Sequence, residues 1–227
     1  MGKAELFEWL TFQIGPLHIG PTVLTTWLLM ALLTGLSWVV TRRLQVQTPS
    51  NWQSTLEGTV LTMHDAINDA APNQAKQLLP FIGTLWLFIA TANLTGLVPG
   101  LRAPTGDLSL TAALALLVFG AVHWFGIRID GLRAYLRHYL QPSPILLPFH
   151  LLGELTRTLA LAVRLFGNMM SLEMAALLVL LVAGLLAPVP LLLLHIIEAL
   201  VQAYIFGMLA LVYIGGALQS QETKRES

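Results

Sequence analysis

Long runs of apolar residues, bounded by charge, proline or glycine, recur along the chain. A helix needs about 20 mostly apolar residues to cross a hydrocarbon core of about 30 Å. Five runs meet this requirement, and each predicts a membrane span. They cover about 22–41, 78–98, 108–127, 145–187 and 191–218, with an N-terminal segment 1–21 and a tail 219–227. We therefore expect an all-α polytopic membrane protein that forms one integral membrane domain over residues 1–227.

The fourth run is about twice as long as a bilayer is thick. A continuous helix over residues 145–187 would measure about 64 Å at a rise of 1.5 Å per residue. No proline interrupts it between Pro148 and Pro188, so we expect one strongly tilted helix. The final run is also longer than a minimal span and should tilt as well. The last two spans are expected to form a hairpin joined near Pro188 and Pro190.

Two amphipathic stretches lie between the predicted spans, at 51–72 and 128–140. Each interleaves charged residues with apolar ones, a pattern typical of helices that lie in the membrane interface.

Basic residues are distributed unevenly between the two sides of the predicted membrane. Cytoplasmic loops are enriched in Lys and Arg, so the richer side identifies the cytoplasm. That rule predicts an external N-terminus and a cytoplasmic C-terminus. The richer side carries Arg42, Arg43, Lys76, Arg128, Arg133, Arg137, Lys224 and Arg225, and the other carries Lys3 and Arg102.

Composition agrees with a membrane protein and excludes several other classes. Charged residues make up 11% of the chain, against about 25% in an average soluble domain. Twelve basic residues balance twelve acidic ones, which leaves no basic stripe for nucleic acid. The absence of cysteine excludes disulfides and thiolate metal sites. His195 and Glu198 have no second such motif to complete a metal shell, so we expect no metal and no cofactor.

Ionisable residues within the predicted spans are concentrated in the last two. A charge at the bilayer centre costs about 2.5–3.5 kcal/mol on insertion scales, so such groups are paired or lie on a functional path. We therefore expect the chemistry in the C-terminal half. The residues concerned are His150, Glu154, Arg157, Arg164, Glu173, His195 and Glu198.

Helical projection arranges these residues in polar stripes. On the fourth span Glu173 lies about 180° from Arg164, on the opposite face. Local pairs are available to Glu154, which is three residues from Arg157 and four from His150. The first stripe contains His150, Glu154, Arg157, Arg164, Asn168 and Ser171, and a second, on the last span, contains His195, Glu198, Gln202 and Tyr213.

The nearest carboxylates to Arg164 on its own helix are ten residues before it and nine after it. Its guanidinium remains charged at any relevant pH, so it snorkels, pairs with another helix, or meets a carboxylate of another subunit. Glu173 and His195 are natural proton-relay groups in a membrane cleft, although a buried hydrogen-bonded pair would also explain them.

Several ordered strings resemble subunit a of the F-type ATP synthase membrane sector. The first strings begin at Pro80, Asn93 and Pro104, and the central one is Leu161-Ala162-Val163-Arg164-Leu165-Phe166-Gly167-Asn168-Met169. It is followed by Glu173, His195, Gln202-Ala203-Tyr204-Ile205-Phe206 and Val212-Tyr213. The resemblance covers about residues 50–218.

This resemblance implies a stator subunit that holds two offset ion half-channels against a rotating ring of c subunits. Arg164 matches the essential arginine that faces the ring carboxylate, with Asn168 and Gln202 beside it. Glu173 and His195 match the pair assigned to the outer half-channel. Candidate lining residues for the half-channels are His150, Glu154, Arg157, Ser171, Glu198 and Tyr213.

The resemblance also implies subunit b, the F1 sector and the lipid bilayer as partners, and a bacterial inner membrane as location. No G-x-x-x-x-G-K-[ST] loop occurs in the chain, so ATP chemistry is expected elsewhere in the complex and this chain is not an enzyme. The coupling ion, H⁺ or Na⁺, stays open. A self-contained secondary transporter or ion channel, or a structural scaffold, would also explain buried charge.

Overall fold

The fold is described from a computed structural model that covers residues 12–14, 17–45, 50–72, 74–98, 101–131, 147–183 and 189–225. A short antiparallel hairpin, β1 (Phe12–Ile14) and β2 (Leu17–Ile19), precedes the helices. The helices are α1 (Pro21–Arg42), α2 (Asn51–Ala70), α3 (Ala75–Leu94), α4 (Leu108–Asp130), α5 (Leu147–Ala183) and α6 (Val189–Arg225). Two single 3₁₀ turns, Thr95–Leu97 and Pro104–Gly106, lie in the connection between α3 and α4.

Five helical segments are long and apolar enough to cross a membrane, which confirms the predicted all-α polytopic fold. They are Pro21–Arg42, Ala75–Leu97, Leu108–Arg128, Leu151–Val182 and Pro190–Gly216. The fourth belongs to a continuous helix of 37 residues, α5, as predicted from the absence of proline between Pro148 and Pro188. Residues 145–146 and 184–187 of the predicted fourth span lie outside the described residues.

The first amphipathic stretch, predicted over 51–72, forms helix α2. Most of its surface is exposed, and Ile67 is its buried residue and packs into the core. The Gln53 side chain, in the first turn of α2, bonds the backbone of Gln45 at 2.9 Å and 3.0 Å. Of the second stretch, 128–140, the described part is the end of α4 and Gly131, and 132–140 lies outside the described residues.

The core lies among α3, α4, α5 and α6. Helix α3 packs mainly along α6, and α4 packs mainly along α5. Ile89, Leu165 and Leu211 are fully buried in this core. Helix α1 stands to one side, and only Thr26 and Leu29 are buried on it. Long apolar helices with outward-facing apolar side chains are expected where the surroundings are hydrocarbon.

Helices α3 and α6 approach each other closely at Trp86. Its ring stacks on Tyr204 with centroids 5.7 Å apart, and its Nε1–H donates to the Tyr204 carbonyl oxygen at 3.2 Å. The indole lies directly against Gly207, and a Cβ atom at that position would collide with the ring. A small residue is therefore required for this crossing, as is common between membrane helices.

We predict that Gly207→Ala destabilises the protein by about 1–3 kcal/mol, the usual cost of overpacking a core. The added methyl must displace Trp86, which also weakens the hydrogen bond to Tyr204. The measurement is thermal unfolding of the detergent-solubilised complex. Gly216→Ala is the control, because a Cβ at Gly216 of the same helix meets nothing within 4 Å. Equal stability of the two variants would contradict the role assigned to Gly207.

Asp107 caps the N-terminus of α4. Its Oδ1 accepts the backbone N–H of Ser109 at 2.9 Å and the Ser109 hydroxyl at 2.8 Å. Partial burial acts to raise the pKa of Asp107, but the hydrogen bonds from Ser109 and Thr22 outweigh it and lower the pKa. Thr22 belongs to α1, so the same carboxylate also attaches α1 to the start of α4.

A lowered pKa makes the Asp107 contribution dependent on pH. The stabilisation is complete above the carboxyl pKa of the unfolded chain, about 3.9, and is lost as pH falls through the lower folded value. We predict that Asp107→Ala lowers the free energy of unfolding by about 1 kcal/mol at neutral pH, and that this deficit shrinks below about pH 4. Thermal unfolding across that range measures it.

Asp107→Asn is the matched control for this effect. Asparagine caps helices about as well as aspartate but has no carboxyl to titrate. Its stability difference from the Asp107→Ala variant should not vary with pH across the carboxyl range. A deficit in Asp107→Ala that stays constant down to acidic pH would contradict the charged cap.

Candidate functional site

Arg164 lies near the middle of α5, and its side chain is exposed, as are those of Arg157 and Ser171 in the same polar stripe. Leu159, Val163 and Met170 are 56%, 58% and 46% accessible and form a neighbouring, apolar face of the helix. Within the described ranges, no carboxylate forms an ion pair with Arg164. Of the three alternatives left by the sequence, pairing with another helix of this chain is therefore not seen among these residues.

One turn beyond Arg164, a pair of amides joins α5 to α6. The Asn168 side-chain N–H donates to Gln202 Oε1 at 2.6 Å. Gln202 is 2% accessible, and its Nε2 has no hydrogen-bond partner among the residues that the structure describes. A buried amide without a partner costs stability, and such groups in native proteins deserve a functional explanation. The structure thus brings Asn168 and Gln202 together, with Asn168 one turn from Arg164 along α5.

Glu173 lies on the opposite side of α5 and faces the connection between α3 and α4. Its Oε1 accepts the Ala103 backbone N–H at 3.4 Å. The carboxylate also borders Gly106, where a Cβ would lie 3.6 Å from Oε1. Helix α4, the third predicted span, therefore begins beside a carboxylate of α5.

His195 approaches the same connection from α6. It is 6% accessible, and its Nε2 lies 3.4 Å from the Asn93 carbonyl oxygen. The Asn93 side chain accepts the Thr105 hydroxyl at 2.6 Å and donates to the Ala199 carbonyl at 3.2 Å. Both Asn93 and Thr105 are fully buried. This network fixes the connection against α6.

Glu173 and His195 thus border one connecting segment, 95–107, from two helices. A direct hydrogen bond between the two, the alternative that the sequence left open, is not seen among the described contacts; both side chains instead approach the backbone of the same segment. A Cβ at Gly96 would lie 3.5 Å from both His195 Nε2 and the Ala103 nitrogen, and that nitrogen donates to Glu173. We name this group, Asn93, Gly96, Ala103, Thr105, Glu173 and His195, the loop cluster.

A second carboxylate and histidine meet on the other side of Arg164. Glu154 Oε2 lies 3.4 Å from His123 Nε2 on α4. Sequence reasoning considered His150 and Arg157 as partners of Glu154 and missed His123. The sequence offered only a histidine near the end of a predicted span. Its partner could not be identified, because it depends on how α4 packs against α5.

The remaining candidates are distributed along both helices. The Arg157 guanidinium lies over the Tyr213 ring, 5.6 Å from its centroid. Ser171 is exposed and Glu198 is half-buried. The side chain of His150 lies outside the described part of the chain. Across the described ranges, no group of three His, Cys, Asp or Glu residues is placed to hold a metal.

The fold and site define a multi-pass helical membrane protein with an exposed arginine between two clusters that each contain a carboxylate and a histidine. Residues 23–215 match the family described as ATP synthase A chain. The chain belongs to this family.

Three similar bacterial proteins are named as subunit a of an ATP synthase. "ATP synthase subunit a 2" of Pelobacter propionicus is 64% identical over 214 residues, which cover 94% of this chain and 93% of that protein. "ATP synthase subunit a 1" of Hahella chejuensis is 64% identical over 207 residues, covering 91% and 88%. "ATP synthase subunit a" of Legionella pneumophila strain Corby is 52% identical over 226 residues, covering 100% and 98%. These matches confirm the resemblance found in the sequence and favour it over the two alternative interpretations, a self-contained transporter and a scaffold.

We predict that Thr105→Val destabilises the protein by about 1–3 kcal/mol. The substitution keeps the shape of the side chain but removes the hydroxyl that donates to the fully buried Asn93 Oδ1. A buried polar atom left without a hydrogen bond destabilises the fold by its full desolvation penalty. Thermal unfolding measures the loss. Thr84→Val is the control, because that hydroxyl is exposed and bonds the Pro80 carbonyl of its own helix. A Thr105→Val variant as stable as Thr84→Val would contradict the network.

Proposed function

We propose that this chain holds two ion half-channels against a ring of c subunits and couples ion flow to the rotation of that ring. The observation that carries the proposal is the position of Arg164, exposed at mid-helix within the polar stripe of an otherwise apolar helix. Along α5, Glu154 lies about 15 Å before it and Glu173 about 13 Å after it. Two half-channels that end on opposite sides of one arginine need polar groups at such positions.

The physics of a fixed cation explains what Arg164 would do. An ion crosses by neutralising a ring carboxylate on one side, travelling with the ring through lipid and leaving on the other side. The guanidinium favours the ionised carboxylate as it arrives, which drives ion release. It also repels cations that would leak directly between the half-channels. Such a leak would waste about 2.3 kcal/mol per elementary charge for each 100 mV.

Neighbouring residues support this assignment. Asn168 and Gln202 lie one turn along the same junction of α5 and α6, where they would orient polar groups of the ring contact. Glu173 and His195, in the loop cluster, would line the outer half-channel. Ser171, Glu198 and Tyr213, with Glu154, Arg157 and His150, are the candidate lining residues of the half-channels.

The proposal extends to the surroundings of the chain. The exposed apolar faces of α5 and α6, a strongly tilted hairpin, would contact the c-ring, with subunit b and the F1 sector as further partners. The whole chain would form one domain in a bacterial inner membrane, with its N-terminus outside and its C-terminus in the cytoplasm. Catalysis of ATP chemistry would belong to other subunits. The transported ion would be H⁺ or Na⁺.

We predict that Arg164→Ala abolishes ATP-driven pumping, because the variant lacks the charge that would separate the half-channels. The measurement is ATP-driven acidification of inverted membrane vesicles that carry the whole complex, repeated with Na⁺ and with a protonophore. Arg164→Lys should also fail, since a lysine loses its charge more easily when buried and cannot form a fork of two hydrogen bonds.

Arg42→Ala is the matched control for charge removal. Arg42 is an exposed arginine at the end of α1, where it stacks on Trp38 at 3.8 Å, far along the chain from α5. Complex assembly is checked by copurification of the other subunits. Normal pumping by an assembled Arg164→Ala complex would refute the proposed role of this residue.

A further inference from the structure

We propose that His123 and Glu154 form a proton-exchange site in the half-channel opposite the loop cluster. The inference rests on the proposed function and adds to it a residue, His123, and an ion, the proton. It begins from a contact between two helices. Glu154 Oε2 of α5 and His123 Nε2 of α4 are 3.4 Å apart.

The backbone of α4 determines which ring nitrogen faces the carboxyl group as a base. His123 Nδ1 lies 2.8 Å from the Phe119 carbonyl oxygen, one turn earlier. A carbonyl oxygen only accepts hydrogen bonds, so Nδ1 carries a hydrogen and donates it. In the neutral imidazole, Nε2 is then the nitrogen that can accept a proton, and it lies 3.4 Å from Glu154 Oε2.

This arrangement gives the pair one proton to share. The proton resides either on the carboxyl group beside a neutral imidazole or on Nε2 beside a carboxylate, and both states have the same net charge. A proton that arrives from water binds Nε2, and transfer to Glu154 breaks the N–H bond and forms an O–H bond. No further reactant is required, since each step moves a single proton.

The surroundings of the pair are compatible with proton exchange with water on one side and with proton transfer toward the protein interior on the other. The side chains are 29% accessible for His123 and 20% for Glu154, which permits contact with water without full exposure. One turn further along α5, Arg157 lies over Tyr213 of α6. Arg128 is also charged, and it is exposed near the end of α4; His150 lies one turn before Glu154 in the sequence.

The position along α5 identifies the half-channel. Glu154 and Glu173 lie on opposite sides of Arg164, so the two carboxylates cannot serve the same half-channel if that arginine separates them. Each has a histidine from another helix nearby, His123 for Glu154 and His195 across segment 95–107 for Glu173. Histidine changes charge near neutral pH, whereas Na⁺ is a hard cation that oxygen ligands suit better. The shared chemistry therefore favours a proton.

The test is passive proton conduction through the membrane sector after F1 has been stripped from inverted vesicles, driven by a potassium diffusion potential. Glu154→Gln should reduce the rate per assembled complex at least about tenfold, at the low end of what a positioned proton-transfer group contributes. His123→Gln should reduce the rate and flatten its dependence on pH, because the variant lacks the imidazole that would accept the proton.

Two further variants separate proton exchange from a merely structural contact. Thr156→Val is the control, because Thr156 is exposed on α5 and bonds the Leu152 carbonyl of its own helix. It should conduct like wild type. The exchanged variant, His123→Glu with Glu154→His, retains both groups and should recover part of the rate. A contact that only attaches α4 to α5 would reduce assembly but leave the pH profile per complex unchanged.

The outcomes distinguish this inference from the proposed function. Wild-type rates and pH dependence in assembled Glu154→Gln and His123→Gln complexes would overturn it, as would conduction of Na⁺ in place of protons. Arg164→Ala is measured in parallel for ATP-driven pumping. If that variant is inactive while the two pair variants conduct normally, the exchange site is wrong and the rotor contact stands.

Discussion

A permanently charged guanidinium within a membrane-spanning helix imposes the constraint on which this structure depends. The cost of an uncompensated charge at the bilayer centre, about 2.5–3.5 kcal/mol on insertion scales, must be met by a partner or by water. The described residues of this chain provide no carboxylate that forms an ion pair with Arg164, and the adjacent face of its helix is apolar and exposed. Glu154 and Glu173, the two carboxylates of α5 that lie near histidines of other helices, are about two to three turns before and after Arg164.

Packing holds these distant groups in place. Helix α3 crosses α6 where Gly207 admits Trp86, and this crossing brings Asn93 close to α6. Asn93 in turn bonds Thr105 and so fixes the connection that Glu173 and His195 border. At the other end, the packing of α4 along α5 brings His123 to Glu154. The described residues of the connection between α3 and α4 are thus held by partners from α3, α5 and α6.

The sequence predicted the features that depend on local pattern. Five apolar runs gave five spans, and the absence of proline predicted the unbroken α5. Helical periodicity placed Arg164 and Glu173 on opposite faces, because angle along a helix depends only on spacing. The contact of His123 with Glu154 could not be predicted in this way. It depends on the rotation and register of α4 against α5, and a single histidine carries no periodicity. The same reason explains why the roles of Asn93 and Thr105 were not foreseen.

The exposure of Arg164 has a physical consequence for how the proposed mechanism would work. An arginine paired permanently within its own chain would be stable, but it could not respond to a carboxylate that arrives and departs. An arginine left without a partner makes the isolated subunit less stable in lipid, and each arriving carboxylate relieves that cost. The attraction must remain weak enough for departure, because a fully desolvated ion pair would hold the ring in place. Water reaching the two polar clusters on either side of Arg164 would supply that balance, since a higher local dielectric weakens the pair.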